Sequence, residues 1–134
     1  MELVASFLIH GTPISINRPR NLRAPWTQAI QNEARNHFQA PLDDDDLLIR
    51  IKYFYHGITR LDTDNISKPI CDALNGIAYH DDQQIRNREV EKCPLTGAYR
   101  LPGVPQNVAI ALTQGNDFVW VQLFKMGEGV HNLV

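Results

Sequence analysis

The chain has 134 residues, the size of one ordinary domain, with 43% hydrophobic and 21% charged residues, which is normal for a globular protein. Its net charge of −2 argues against a protein that coats nucleic acid, because phosphate contacts are made by Lys and Arg. No apolar run approaches the roughly 20 residues that a membrane-spanning helix needs. The N-terminus lacks the basic start of a signal peptide, and the two cysteines have no zinc-site spacing. We therefore expect one domain over residues 1–134, without a membrane partner, in the cytoplasm.

The first half of the chain predicts two strands separated by a helix. Residues 2–10 are apolar on both faces, which favours a central strand. Residues 13–25 contain three prolines and predict a loop. Apolar side chains then recur every four positions over 26–39, which indicates a helix. The period of two over 47–55 is the clearest strand pattern in the chain.

The second half predicts one helix and three strands. The helical period covers 65–78, and a weaker alternation follows over 84–92. Residues 107–113 and 118–124 alternate as two strands, and 114–117 has the composition of a hairpin loop. The tail after these strands is glycine-rich and fits either a loose segment or one that docks on a partner. The order predicts an α+β domain with a mixed sheet and two main helices packed largely on one face.

Two groups of basic residues are candidate phosphate contacts. The first lies in the proline-rich loop, where three arginines have no acidic neighbour and form an uncompensated positive patch. The second lies on one face of the weak strand. The alternatives are a solvated loop and a polar edge strand with cross-strand ion pairs. The candidates are Arg18, Arg20, Arg23, Arg86, Arg88 and Lys92.

The most informative stretch runs from residue 61 to residue 85 and gathers acids at both ends of the predicted helix. Asp62 and Asp64 precede the helical pattern, and Asp81 and Asp82 follow it. Mg²⁺ prefers a few carboxylate oxygens, several waters and a phosphate ligand. A helix that begins here also points its positive end at any phosphate bound beside its first acids. The stretch therefore indicates a Mg²⁺-dependent enzyme that acts on a phosphodiester.

Three other interpretations of this stretch were weighed. An EF-hand loop counted from Asp62 fails, because its fifth, sixth and twelfth positions are Ile66, Ser67 and Ala73. A nucleotide-sugar transferase can use a DxD pair, but a lone DxD is a weak signal and such enzymes are usually larger. In the third interpretation Asp62 and Asp64 are loop and cap residues, and the later acid pair forms a turn.

Other polar residues near this stretch are expected to have structural roles. The acidic run 43–46 predicts a solvated loop, since consecutive like charges repel one another and nothing fixes a metal-site geometry. His56 and His80 flank the acidic stretch, and each is a candidate general base. We expect each to lie at a turn or on the surface, because a metal-activated water needs no histidine.

The complete pattern resembles the RusA family of Holliday-junction resolvases. Three separately spaced blocks carry the resemblance: DxDNxxK over 62–68, DALNG over 72–76 and DDxQI over 81–85. The sequence departs from the expected pattern in its net negative charge and in Pro69, which directly follows Lys68.

The resemblance implies a small homodimeric endonuclease that nicks four-way branched DNA symmetrically with one or two Mg²⁺ ions per subunit. Asp62, Asp64 and Asp82 would be the catalytic metal ligands and Lys68 the essential lysine, with Asp72 and Asp81 as supporting residues. It also implies a bacterial or phage source and products with a 5′-phosphate and a 3′-hydroxyl. Two alternatives stay open: a non-catalytic junction-binding or phage-derived regulatory protein, and a Mg²⁺-dependent nuclease that prefers other branched DNA.

Overall fold

The structure is a computed structural model that describes residues 1–127. Its strands are β1 (Glu2–His10), β2 (Leu47–Tyr55), β3 (Ile85–Pro94) and β4 (Phe118–Lys125). Its helices are α1 (Arg20–Arg35), α2 (Thr63–Ala73) and α3 (Gln106–Gln114), and a short 3₁₀ turn spans Asp82–Gln84. The C-terminal tail lies largely outside the described residues. Within residues 1–127, no helix combines the length and the apolarity that crossing a membrane requires.

The four strands form one mixed sheet in the order β1-β4-β2-β3. β4 pairs antiparallel with both β1 and β2, whereas β2 and β3 are parallel. A parallel pair needs a crossover connection, and α2 provides it. α2 therefore runs back over the sheet, from the end of β2 towards the start of β3. The predicted α+β class with a mixed sheet is confirmed.

α1 and α2 cover one face of the sheet and form the main core. Ile30 of α1 and Ile66 and Ile70 of α2 are 0% exposed, and they belong to the same cluster as Ile49 and Ile51 of β2. Fully burying a side chain of this size contributes about 1.5–3 kcal/mol. This burial fixes which side of α2 faces the sheet, so the opposite side of the helix is presented to solvent.

α3 covers the other face, and its presence corrects the prediction of a strand over 107–113. Val108 and Ala111 pack against Phe54 and Phe118 at a helical spacing of three. Short apolar runs cannot be assigned to helix or strand by periodicity alone. The predicted hairpin loop 114–117 is instead the helix end, where Gly115 adopts a left-handed conformation with φ 75°.

Two further boundaries differ from the prediction. α1 begins at Arg20 rather than at residue 26, and it contains Pro25, which the sequence suggested would exclude a helix. α2 spans Thr63–Ala73 rather than 65–78, which places Pro69 in its second turn.

β1 is an edge strand rather than a central one. It is apolar on both faces because Phe7 and Ile9 pack in the α1 and α2 core, while Leu8 packs in the α3 core. Helices on both faces of the sheet therefore produce the pattern that suggested a central position.

The carboxylate of Asp117 connects the end of β1, the end of β2 and the start of β4 by hydrogen bonds. It accepts hydrogen bonds from Tyr53 Oη at 2.6 Å, from Thr12 Oγ1 at 3.0 Å and from the backbone N–H of His56 at 2.7 Å. Partial burial opposes ionisation, but these hydrogen bonds outweigh it and lower the pKa of Asp117. Burial and the same carboxylate raise the pKa of Tyr53. The cluster fixes the point at which β2 leaves the sheet towards α2.

We expect Asp117→Asn to lower the unfolding free energy at pH 7 by about 1–3 kcal/mol, the range for hydrogen bonds to a charged group. Because the folded-state pKa is depressed, the carboxylate's contribution is present above its unfolded pKa of about 3.9. That contribution is lost as the pH falls through the folded value. Urea unfolding from pH 7 to pH 2 measures the difference. Asp44→Asn is the control, because Asp44 is exposed. A difference in unfolding free energy between wild type and Asp117→Asn that does not change with pH contradicts the prediction.

Candidate active site

Two of the predicted metal ligands lie at the start of α2. Asp62 is the N-cap residue, and its Oδ1 accepts a hydrogen bond from the backbone N–H of Asn65 at 2.8 Å. Asp64 lies in the first turn, and both carboxylates are exposed. The cap role that the sequence suggested for this pair is therefore present at Asp62. Both acids lie at the positive end of the helix, where a phosphate is also stabilised.

Lys68 lies one turn further along the exposed side of α2. Its Nζ is 3.6 Å from Oδ2 of Asp72, with both side chains largely exposed. An exposed pair of this kind contributes only about 0.3–0.5 kcal/mol. Lys68 can therefore exchange this carboxylate for a phosphate oxygen at little cost.

The second acid pair lies in the turn before β3. Asp81 caps the 3₁₀ turn and accepts from the backbone N–H of Gln83 at 2.8 Å. Asp82 is half-buried, with its Oδ2 3.8 Å from Nη2 of Arg88. Burial raises the pKa of Asp82, a hydrogen bond with Asp81 and repulsion by Asp72 and Asp81 add to the rise, and Arg88 opposes it.

Gln84, the glutamine of the DDxQI block, holds this turn in place, a role that the sequence did not assign to it. Its Oε1 accepts from the backbone N–H groups of His80 at 3.0 Å and Asp81 at 3.3 Å. Its Nε2 lies 3.1 Å from the carbonyl oxygen of Leu42 and 2.6 Å from that of Asp43. The signal was present in the sequence, because an Asp followed three residues later by Gln is a capping-box pattern.

The acidic run 43–46 is more ordered than a freely solvated loop. Asp43 Oδ1 lies 2.6 Å from Nε2 of His80, and Asp46 Oδ2 lies 3.2 Å from Nη1 of Arg86. Asp45 lies 4.0 Å from Lys125. Arg86 and Lys125 offset the repulsion among the acids, and these contacts hold the loop beside the turn that carries Asp82. His80 lies on the surface as predicted, and so does His56.

The structure divides the predicted acids into two groups. Asp82 lies near Asp72 and Asp81, as their effect on its pKa indicates. Asp64 is eight residues before Asp72 on α2, which places the two about 12 Å apart along the helix axis. Within residues 1–127, no group of three or more His, Cys, Asp and Glu side chains is arranged to hold a metal ion. In this conformation Asp62 and Asp64 are therefore not assembled with Asp82 around one point.

The chemistry of these acids nevertheless suits Mg²⁺. All the donors are carboxylate oxygens, which hard divalent cations prefer. The crowding of Asp72, Asp81 and Asp82 raises the pKa of Asp82, and a bound cation relieves such repulsion. The donor set therefore fits the metal that the sequence predicts, although its members are not preassembled.

The predicted phosphate contacts fall into two kinds. Arg86 and Arg88 pair with acids, as an edge strand with ion pairs predicts, and Glu89 of the same strand lies 2.7 Å from Arg50. The other candidates form no ion pair with any residue in 1–127, and Arg20 and Arg23 lie on α1 rather than in a loop. These unpaired cations are Arg18, Arg20, Arg23 and Lys92.

We expect Gln84→Ala to lower the unfolding free energy by about 1–3 kcal/mol, because it leaves backbone groups at both ends of the turn without their partner. Gln84→Glu should destabilise at least as much, since its carboxylate would face the carbonyl oxygens of Leu42 and Asp43 that the amide now bonds. Urea denaturation measures both variants. Gln83→Ala is the matched control, because the side chain of Gln83 is exposed. Equal stability of the Gln83 and Gln84 variants contradicts this role.

Comparison with known protein families now identifies the chain's relatives. The family model described as "Endodeoxyribonuclease RusA" matches residues 14–100, which is more than half of the chain. The match runs from the loop before α1 to the loop after β3 and includes α2 and the turn with Asp82. A comparison with curated proteins found no match. The chain belongs to the RusA endodeoxyribonuclease family.

Proposed function

We propose that the chain is a Mg²⁺-dependent endodeoxyribonuclease that resolves four-way DNA junctions by paired, symmetric nicks. The observation that carries the proposal is the family match, which covers both groups of acids on and beside α2. The unpaired arginines at the start of α1 support a DNA substrate, because they offer positive charge to a phosphate backbone.

In the proposed mechanism Asp62, Asp64 and Asp82 hold the metal. When bound, Mg²⁺ supplies an activated water and neutralises charge on the phosphate. Lys68 leaves Asp72 and stabilises the charge that develops on the phosphoryl or leaving oxygen. Asp82 would be one of the residues that hold the metal, and Arg88, now 3.8 Å from Asp82, would then be available to the DNA backbone.

The separation of the two acid groups adds a conformational step to the proposal. Asp82 would have to approach Asp62 and Asp64 for all three to bind one cation, because no three acids within residues 1–127 are arranged to hold a metal ion. A bound substrate phosphate would add an oxygen donor to these carboxylates and so favour this approach. We also propose a homodimer, because a two-fold axis presents two equivalent sites to a junction and accounts for paired cuts.

A second candidate function is binding of four-way junctions without cleavage. The observation that favours it is the lack of a preassembled metal-holding group within residues 1–127. A protein of this kind binds junctions with the same basic residues and leaves both strands intact in Mg²⁺.

The conformational step predicts that metal and DNA bind cooperatively. We expect Mg²⁺ to bind the free protein weakly and at least about tenfold more tightly with junction DNA present, a common size for such coupling. Isothermal titration with Ca²⁺ as a non-cleaving substitute measures both affinities. Linear duplex of equal phosphate content is the control. Equal affinity for the cation with and without the junction contradicts the step.

The metal-ligand role of Asp64 is tested by Asp64→Asn. We expect cleavage of a synthetic four-way junction to fall at least about 100-fold, or about 2.7 kcal/mol in activation free energy, because a ligand charge is lost. In EDTA the variant should fold and bind the junction as wild type does, since Asp64 is an exposed side chain and not the helix cap. Gel assays measure cleavage in Mg²⁺ and binding in EDTA, with Asp44→Asn as the control. Undiminished cleavage by Asp64→Asn refutes this role. The proposed substrate is refuted separately, if the wild-type protein cuts flap DNA faster than four-way junctions.

A further inference from the structure

The start of α1 has an arrangement of charge that an isolated helix disfavours. Its N-cap residue is Pro19, no side chain caps the helix, and no acid lies in the first turn. Arg20 and Arg23 occupy this end instead, and they form no ion pair with another residue in 1–127. The positive end of a helix favours negative groups. An anion at this end would offset both the helix dipole and the arginines.

A cavity of about 140 Å³ lies between α1 and α2 beside these arginines. Its apolar wall includes Ile14 and Ile16 from the loop before α1. Arg23, Trp26 and Thr27 line it from α1, and Asp72 lines it from α2. Its volume is well above the roughly 10–15 Å³ that a site for one water molecule needs, so it admits a larger polar group.

Two residues that line this cavity each carry a fully buried hydrogen-bond donor without a partner in the described residues. The donors are Nε of Arg23 and Nε1 of Trp26. Trp26 is only 6% exposed. Its Cζ3 atom lies on the side of Gly11, where an added Cβ would be 3.8 Å away, so its Nε1 edge faces away from β1. Because nearly all buried polar groups in proteins are paired, two orphan donors around one cavity point to a missing acceptor.

The charge around the cavity favours an anion on the α1 side. Asp72 is the acid of the lining, and its carboxylate is partly neutralised by Lys68 at 3.6 Å. Arg23 is on the opposite wall, and Arg20 joins it around a neighbouring depression on the same helix. A guanidinium group matches the geometry of phosphate oxygens and binds them with paired hydrogen bonds.

We propose that this cavity binds a phosphate group of the DNA strand that flanks the cleaved phosphodiester. Arg20, Arg23 and the indole N–H of Trp26 supply the donors, and the apolar wall receives the adjoining sugar. The position beside Asp72 places this phosphate next to the acids and separate from the phosphate that they act on. The assignment to DNA rests on the proposed nuclease function, whereas the phosphate chemistry of the cavity does not.

The two tryptophans of the chain provide a direct test with an internal reference. Trp120 donates its Nε1–H to Oγ of Ser6 at 2.9 Å, whereas Trp26 has an unpaired indole N–H. In EDTA, where no cleavage occurs, four-way junction DNA and inorganic phosphate are titrated separately into ¹⁵N-labelled protein. We expect the indole signal of Trp26 to shift with junction DNA and with millimolar phosphate, and that of Trp120 to stay in place.

Other outcomes of the titration separate the alternatives. A shift with inorganic phosphate and none with DNA assigns the cavity to free phosphate and overturns the DNA proposal. No shift of Trp26 with either overturns the site. A shift with DNA in a protein that never cleaves junctions in Mg²⁺ supports the site while the nuclease function fails.

Substitution of the arginines tests the same site by affinity. We expect Arg23→Gln to weaken junction binding several-fold and to reduce the slope of log affinity against log salt by about 0.9, the value for one phosphate contact. Arg35→Gln, at the other end of the same helix, is the matched control and should change neither. Because Arg23 is half-buried, exposed Arg20→Gln is measured beside it, with circular dichroism to confirm folding. Unchanged affinity and slope in both folded variants refute the proposal.

Discussion

The burial of one side of α2 against the sheet is the constraint on which the rest of the structure depends. Ile66 and Ile70 are fully buried in the core beneath the helix. Because a helix has a fixed angular spacing, this burial turns Asp64, Lys68 and Asp72 towards solvent. The same packing that stabilises the fold therefore presents the acids and the lysine together on an exposed surface.

The parallel pairing of β2 and β3 sets the second constraint. α2 has to cross from the end of one strand to the start of the other, so its two ends lie at opposite ends of the strand pair. Asp62 lies at one end and Asp82 beyond the other. The division of the acids is thus a consequence of topology, and the proposed metal site would need a conformational step for that reason.

Sequence reasoning placed Asp62 and Asp64 at the start of α2 with a cap between them, because helical period and capping chemistry are local properties, and the structure assigns the cap to Asp62. It could not predict the distance between Asp64 and Asp82, since strand order and direction depend on pairing between distant segments. The helix α3 was missed for a related reason. Val108 and Ala111 fit a strand or a helix equally until the partner that they pack against is known. The start of α1 was missed because Pro25 was taken as a helix breaker, which hid the position of Arg20 and Arg23 on a helix.

The central claim is that these acids support cleavage of branched DNA, and mapping the products of a four-way junction tests it most directly. Wild-type protein is incubated with a junction labelled on each strand in turn, in Mg²⁺ and in EDTA. We expect nicks in Mg²⁺ at symmetric positions on two opposing strands, each leaving a 5′-phosphate, and no nicks in EDTA. A junction that is bound in Mg²⁺ but stays intact on all four strands contradicts a nuclease.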